Sequence, residues 1–170
     1  MKIENKTIQI RLATDKDFEP IYSIWLDGIG NSFEYNEFDK DNLKEKFTSN
    51  FNERRGIFNF WVAVDRENNI WGWQSLIKIS NNPFRQNTYA ESSTYISKSN
   101  RFKGVGKALL EFVMLEAEKS DLEYVFGFVA IENEAAKKIT EETGWLNIGE
   151  IPPSKKGKNR IIKSFLVRPV

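Results

Sequence analysis

The sequence predicts a mixed α/β domain: a mostly antiparallel central sheet with helices on both faces. Three observations carry that reading. The apolar runs 60–64, 70–79 and 89–97 follow one another across short polar segments, as antiparallel strands do. The stretch 89–130 then reads strand, glycine loop, helix, strand, a crossover that requires a parallel pair. A length of 170 residues suits one domain spanning 1–170 with a substantial core.

The elements follow in order. Ile8-Gln9-Ile10-Arg11-Leu12 alternates apolar and polar, as a half-buried strand does. Thr14-Asp15-Lys16-Asp17 resembles a capping box, with Asp where Glu or Gln is usual. Phe18, Ile21, Tyr22 and Trp25 then recur at helical spacing until Gly28 and Gly30. Leu43, Phe47 and Phe51 suggest a second helix, ending before Gly56. The strands 60–64 and 70–79 flank the turn Asp65-Arg66-Glu67-Asn68-Asn69. Trp71 and Trp73 are two apart, so they are expected on one sheet face, in the core. After the loop 80–87 come the strand 89–97 and a helix over 108–119, with Leu109, Val113 and Ala117 on one side. The run 122–130 is nearly all apolar and aromatic, which predicts a strand buried on both faces. A short helix over 134–142 ends at Gly144, and strands 145–151 and 161–167 close the chain around a basic loop.

Composition narrows the chemistry. The formal net charge of +1 supplies no bulk field for nucleic acid or an anionic membrane, and neither partner is expected. The N-terminus lacks the apolar core of a signal peptide, so a cytoplasmic location is expected. There is no Cys and no His, which removes thiol nucleophiles, Ser–His triads and the usual zinc sites. Proton transfer then falls to Glu, Asp, Tyr, Lys or water. No Asp-rich loop suggests a metal, and none is expected.

The most informative stretch is Arg101-Phe102-Lys103-Gly104-Val105-Gly106-Lys107, where a strand hands over to a helix. A helix start offers unpaired N–H groups and partial positive charge. Two glycines allow close backbone approach, and three basic residues add full charges. Together they make a phosphate cradle. It is not a P-loop, because Ala108 stands where a magnesium-binding hydroxyl is needed. Nor is it a dinucleotide fingerprint, because Leu109 replaces the third glycine.

Arg101-x-x-Gly104-x-Gly106 does match the Arg/Gln-x-x-Gly-x-Gly/Ala motif of the GNAT acyl-CoA-dependent N-acetyltransferases. The element order is similar too, as is Asn133 before a short helix ending in Gly144-Trp145. The chain thus resembles that family from Ile10 onward. Pro83-Phe84-Arg85, followed by Tyr89-Ala90-Glu91-Ser92-Ser93-Thr94-Tyr95-Ile96, resembles its phosphinothricin acetyltransferase-like branch.

The resemblance implies a GNAT fold and transfer of an acetyl group from acetyl-CoA to the primary amine of a small acceptor, an amino-acid-like one among the options. It implies a homodimer. The coenzyme diphosphate would lie on Arg101, Phe102, Lys103, Gly104, Val105, Gly106 and Lys107, the pantetheine arm along Thr94, Tyr95 and Ile96, with Asn133 beside it. Asn133 is equally suited to cap its own helix. Glu91 is the candidate general base, and a structural salt bridge is its alternative role. Phe33, Glu34, Trp73 and Arg85 are candidate acceptor contacts, Arg85 as a carboxylate clamp or a solvated charge. Two departures stand out. Thr140 occupies the position where many relatives carry a proton-donating Tyr, with Tyr124 as another candidate. Pro152 to Arg160 lacks the branch's usual His and aromatic residues. A non-catalytic acyl-CoA sensor therefore remains an alternative at this level.

Overall fold

The computed structural model describes residues 2–3, 6–29, 40–99, 103–153, 155 and 161–170. Its strands are β1 (Lys2–Ile3), β2 (Lys6–Thr7), β3 (Gln9–Leu12), β4 (Phe60–Val64), β5 (Ile70–Lys78), β6 (Tyr89–Ile96), β7 (Tyr124–Ala130), β8 (Leu146–Ile151) and β9 (Lys163–Pro169). Its helices are α1 (Phe18–Gly28), α2 (Lys40–Asn52), α3 (Val105–Ala117) and α4 (Glu134–Glu142). The first two strands pair with each other, a small hairpin that the sequence reading does not anticipate. The remaining strands form one sheet in the order β3-β4-β5-β6-β7-β9-β8. Only β6 and β7 run parallel; every other neighbouring pair is antiparallel. The expected mixed, mostly antiparallel sheet is therefore present, with its parallel pair at the predicted crossover.

Each face buries a different kind of core. Helix α3 lays Leu109, Val113 and Ala117, all 0% exposed, on one face, with Leu110 and Met114 beside them. Leu110, Val113, Met114 and Ala117 share a cluster with Trp61, Leu76, Ala90 and Val125 from the strands, while Leu109 packs with Ala63 and Trp71. On the opposite face α1 and α2 pack an aromatic cluster against β4 and β5. The Phe47 ring lies edge-on to Trp73 at 6.0 Å, and Phe51 lies 5.2 Å from Phe60. The Trp73 indole N–H donates to the Ile21 carbonyl at 3.0 Å, so this large side chain is buried without an unpaired donor.

Two expectations need correction. Trp71 and Trp73 do not share a face. The register of β4 with β5 runs Ala63↔Gly72 and then Val64↔Ile70, so Trp71 is the extra residue of a β-bulge. It turns to the α3 side, against Ala63, Val105 and Leu109, while Trp73 faces α1. Nor is β7 buried on both faces. Val125 is fully buried, but Tyr124 and Phe128 are 39% and 38% exposed. The reason is coverage: α1 packs over β5 and β6, and among the described residues no helix packs over this side of β7 and β9 to the same extent.

The entry to α1 is held by charge. Asp17 is 7% exposed. Its carboxylate accepts from the Arg11 guanidinium at 2.8 and 3.0 Å, and from the Thr14 N–H and hydroxyl at 2.7 and 2.9 Å. The Arg11 hydrogen bonds, with help from Thr14, pull the Asp17 pKa down to about 2. A carboxylate held below its unfolded value stabilises the fold above that value, and the gain is lost as pH falls towards the folded pKa. Asp17→Asn is therefore expected to cost about 1–2 kcal/mol at pH 7. Urea unfolding of both proteins should show the gap narrowing at pH 3.

Candidate active site

The site begins where two parallel strands stop pairing. Strand β6 keeps its partner β5 from Ala90 to Ile96. With β7 it pairs only at Tyr89↔Tyr124, Ala90↔Val125 and Glu91↔Phe126. Beyond that point β7 follows β9 instead, in continuous register to Ala130. From Ser92 onward the strands part, leaving a cleft of about 390 Å³ between them. Its walls are β6 from Glu91 to Ile96, β7 from Gly127 to Ala130, the start of α3 and the inner side of α4. A strand edge that has lost its neighbour presents N–H and C=O groups to whatever enters.

The open edge runs directly into the start of α3. Gly104 has φ 92°, the left-handed region in which glycine carries no side-chain penalty. The first helical bond is Ala108 N–H to the Gly104 carbonyl, 2.9 Å. The N–H groups of Val105, Gly106 and Lys107 therefore have no acceptor within the helix. Val105 is 1% exposed and packs in the core with Leu109. Gly106 lines the cleft. Lys103 is exposed. Lys107 donates to Glu142 of α4 at 2.8 Å and lies 4.0 Å from Glu111, so its charge is directed at α4. Arg101 and Phe102 lie outside the described residues.

Along β6 the side chains divide by face. Tyr95 stacks on Trp73 at 5.0 Å. Gly28 of α1 sits so close that a Cβ there would be 2.5 Å from the Tyr95 ring. Tyr95 is thus packed against α1, and both it and Gly28 line the cleft. Ile96 packs under the start of α3 with Val105 and Leu109, and Thr94 is exposed. Across the cleft, Asn133 caps α4: its Oδ1 accepts from the Ala136 N–H at 3.1 Å. The capping role is realised, and the amide Nδ2 stays available for a ligand. Thr140 also lines the cleft, but its hydroxyl donates within α4, to the carbonyls of Ala136 at 3.1 Å and Lys137 at 2.8 Å. Tyr124 sits at the start of β7 against Tyr89, with ring centres 5.7 Å apart, and is not part of the cleft wall.

Glu91 occupies the last paired position before the split, half-buried at the cleft floor. Burial raises its pKa, and the positive charge of Lys163 pulls partly the other way. Lys163 opens β9 and lines the same cleft; burial lowers its pKa and Glu91 opposes that. On the α3 side, the buried Gln74 amide donates to the Ser92 hydroxyl at 3.1 Å, fixing the first unpaired residue of β6.

The acceptor candidates fare differently. Trp73 is 1% exposed and belongs to the core, so it has no surface to offer a substrate. Arg85 is exposed on the turn before β6 and is absent from the cleft wall. Phe33 and Glu34 lie outside the described residues. Sequence reasoning passed over Lys163 and Phe128, both of which line the cleft. The available signal for the first was a lysine interrupting the apolar run Ile161-Ile162-Lys163-Ser164-Phe165.

Comparison with known proteins agrees with this geometry. The family model described as "Acetyltransferase (GNAT) domain" matches residues 7–145. The chain belongs to the GNAT acetyltransferases. It is 26% identical over 145 residues to YwnH of Bacillus subtilis (strain 168), provisionally named a phosphinothricin acetyltransferase, covering 84% of this chain and 86% of that one. Two solved structures share the fold. The phosphinothricin acetyltransferase of Sinorhizobium meliloti in complex with AcCoA superposes with TM-score 0.78 at 18% identity, over 96% of this chain and 89% of that one. The ribosomal-protein-alanine N-acetyltransferase of Brucella melitensis gives TM-score 0.77 at 22% identity, over 95% and 99%. In this GNAT chain the family match ends at Trp145, so β8 and β9, and with them Lys163, lie beyond the matched stretch.

The left-handed start of α3 is testable by itself. Gly104→Ala is expected to destabilise the protein by about 1 kcal/mol, because an alanine must hold the same positive φ. Gly104→Asn should cost less, since Asn tolerates that region better. Denaturant unfolding of the three proteins orders them.

Proposed function

We propose that this chain, as one domain over 1–170, transfers the acetyl group of acetyl-CoA to the primary amine of a small acceptor by direct attack. The observation that carries the proposal is the split at Glu91: an open strand edge leading to an uncapped helix start, with a half-buried carboxylate where the split begins. The donor set fits an acyl-CoA. The N–H groups at residues 103–107 suit a diphosphate, joined by Arg101 and Phe102 in the proposal, and the edge of β6 at Thr94, Tyr95 and Ile96 suits an extended amide-bearing arm. The Asn133 amide, free to donate while its oxygen caps α4, suits the same arm. When bound, acetyl-CoA supplies an activated thioester carbonyl.

The chain's own residues do the rest. Glu91 takes a proton from the acceptor ammonium or amine, directly or through one water. The amine nitrogen forms a bond to the carbonyl carbon, the carbon–sulfur bond breaks, and the electron pair leaves on sulfur as thiolate. A β6 backbone N–H stabilises the charge that develops on the carbonyl oxygen. The Thr140 hydroxyl is committed to its own helix, which supports water as the source of the proton for the thiolate.

Thiol release from acetyl-CoA across a panel of amines tests this, and the protein contributes no thiol background. Amine-dependent release is expected. Glu91→Gln should lower kcat by about 10²–10⁴-fold. Because burial raises the Glu91 pKa, activity should decline on acidification at a higher pH than for an ordinary carboxylate, and Glu91→Gln should lack that limb. Full activity of the variant across pH would sink the assignment. Tight acetyl-CoA binding with no release for any amine would favour a non-catalytic sensor.

A homodimer is part of the proposal. Edge strand β8 is exposed along its length and carries Leu146, Ile148 and Ile151 at 55%, 53% and 40% exposure, a surface suited to a second copy. Sedimentation analysis should give a dimer, and Ile148→Glu should shift it towards monomer.

A further inference from the structure

The cleft passes through the sheet, and its two sides differ in chemistry. On the α3 side lie the helix start, Asn133 and Ile139. On the other side, strand alternation places Glu91, Phe126, Phe128, Phe165 and Lys163 on one face. Phe126 stacks on Phe165 at 5.6 Å and 19°, and Phe165 on Phe128 at 5.1 Å and 6°. Phe128 ends this column, is 38% exposed and lines the cleft. Glu91 reaches the cleft from the β6 arm and Lys163 from the β9 arm, with Phe128 on the strand between them.

We infer that this side is the acceptor subsite and that it selects an α-amino acid with a large apolar or aromatic side chain. Glu91 receives the amino group, Lys163 holds the carboxylate, and Phe128 supports the side chain. The inference rests on the acetyltransferase reading and adds the acceptor class to it. The two opposite charges act on each other across the cleft, so an acceptor carrying both charges in reverse order replaces that attraction with two closer ones. The half-buried aromatic face next to them gains most from an apolar partner. A diamine would set its second cation against Lys163, and an amine without a carboxylate would bring no anion to the Lys163 ammonium.

The test compares L-phenylalanine with phenethylamine, which lacks the carboxylate, with glycine, which lacks the side chain, and with 1,5-diaminopentane. Acetyl-CoA and the full chain are used. L-Phenylalanine should exceed each of the others in kcat/KM by about 10-fold or more, chiefly through KM. In Lys163→Met the preference over phenethylamine should collapse towards one, while Lys163→Arg should retain most of it. Phe128→Ala should cut the preference over glycine. Equal use of L-phenylalanine and phenethylamine by the native protein, or an undiminished ratio in Lys163→Met, overturns the inference while leaving the acetyltransferase reading intact. Should no amine be turned over, calorimetric titration of L-phenylalanine into the acetyl-CoA-loaded protein decides separately. Binding that Lys163→Met loses supports the subsite, and absence of binding overturns it.

Discussion

The cleft in this molecule depends on a pair of parallel strands that cannot stay together. Strand β6 is bound to β5 and β7 to β9, each by a full antiparallel ladder, and the two ladders diverge after Glu91 and Phe126. Divergence leaves backbone donors and acceptors facing a gap. Leaving such groups dry and unpaired costs on the order of 1–3 kcal/mol each, so the gap has to stay wet or be filled by a ligand with its own amide groups. What elsewhere would be an aggregation-prone edge is here recessed between two halves of one sheet, the setting that the proposed acyl-CoA arm requires.

Packing on both sides holds that split open. On one face Trp73, Tyr95 and the bare Cα of Gly28 lock the free end of β6 to α1. On the other, Ile96 lies under the first turn of α3, so the strand edge and the helix start move as one body. Helix α4 has no buried residue. It is held by Ile139, which packs against the core beside Gly106, and by the Lys107–Glu142 ion pair, while the Trp145 backbone N–H closes its C-terminus on the Thr140 carbonyl at 3.0 Å. An exposed ion pair is a weak tether, screened by solvent.

The charges in the cleft follow from the same geometry. Glu91 sits at the vertex, where burial penalises its ionised form, and Lys163 faces it from the other arm, where burial penalises the ammonium. Each charge moderates the cost of the other. A carboxylate with a raised pKa is better placed to accept a proton near neutral pH than one fully in water.

Much of this was legible in the chain itself. Apolar spacing determined the helices: Leu109, Val113 and Ala117 read as one stripe because helical geometry alone puts them there. The glycines marked the turn into α3, but the helix begins at Val105 and not at the expected 108, because the positive φ that turns the chain falls on Gly104 alone and Gly106 is already helical. Other features were decided only in three dimensions. A one-residue bulge sent Trp71 and Trp73 to opposite faces, because register belongs to a pair of strands and not to one. The apolar run of β7 left Tyr124 and Phe128 exposed, because α1 reaches only as far as β6. Arg85 and Trp73, adjacent to the site in sequence pattern, ended on a turn and in the core. Lys163, remote in sequence from Glu91, came to share its cleft through the order β6-β7-β9. Local sequence determined which elements form and that a glycine turn leads into α3, since those depend on short-range geometry. The tertiary structure decided which side chains meet across the split, since that depends on how whole strands are ordered and where their ladders end.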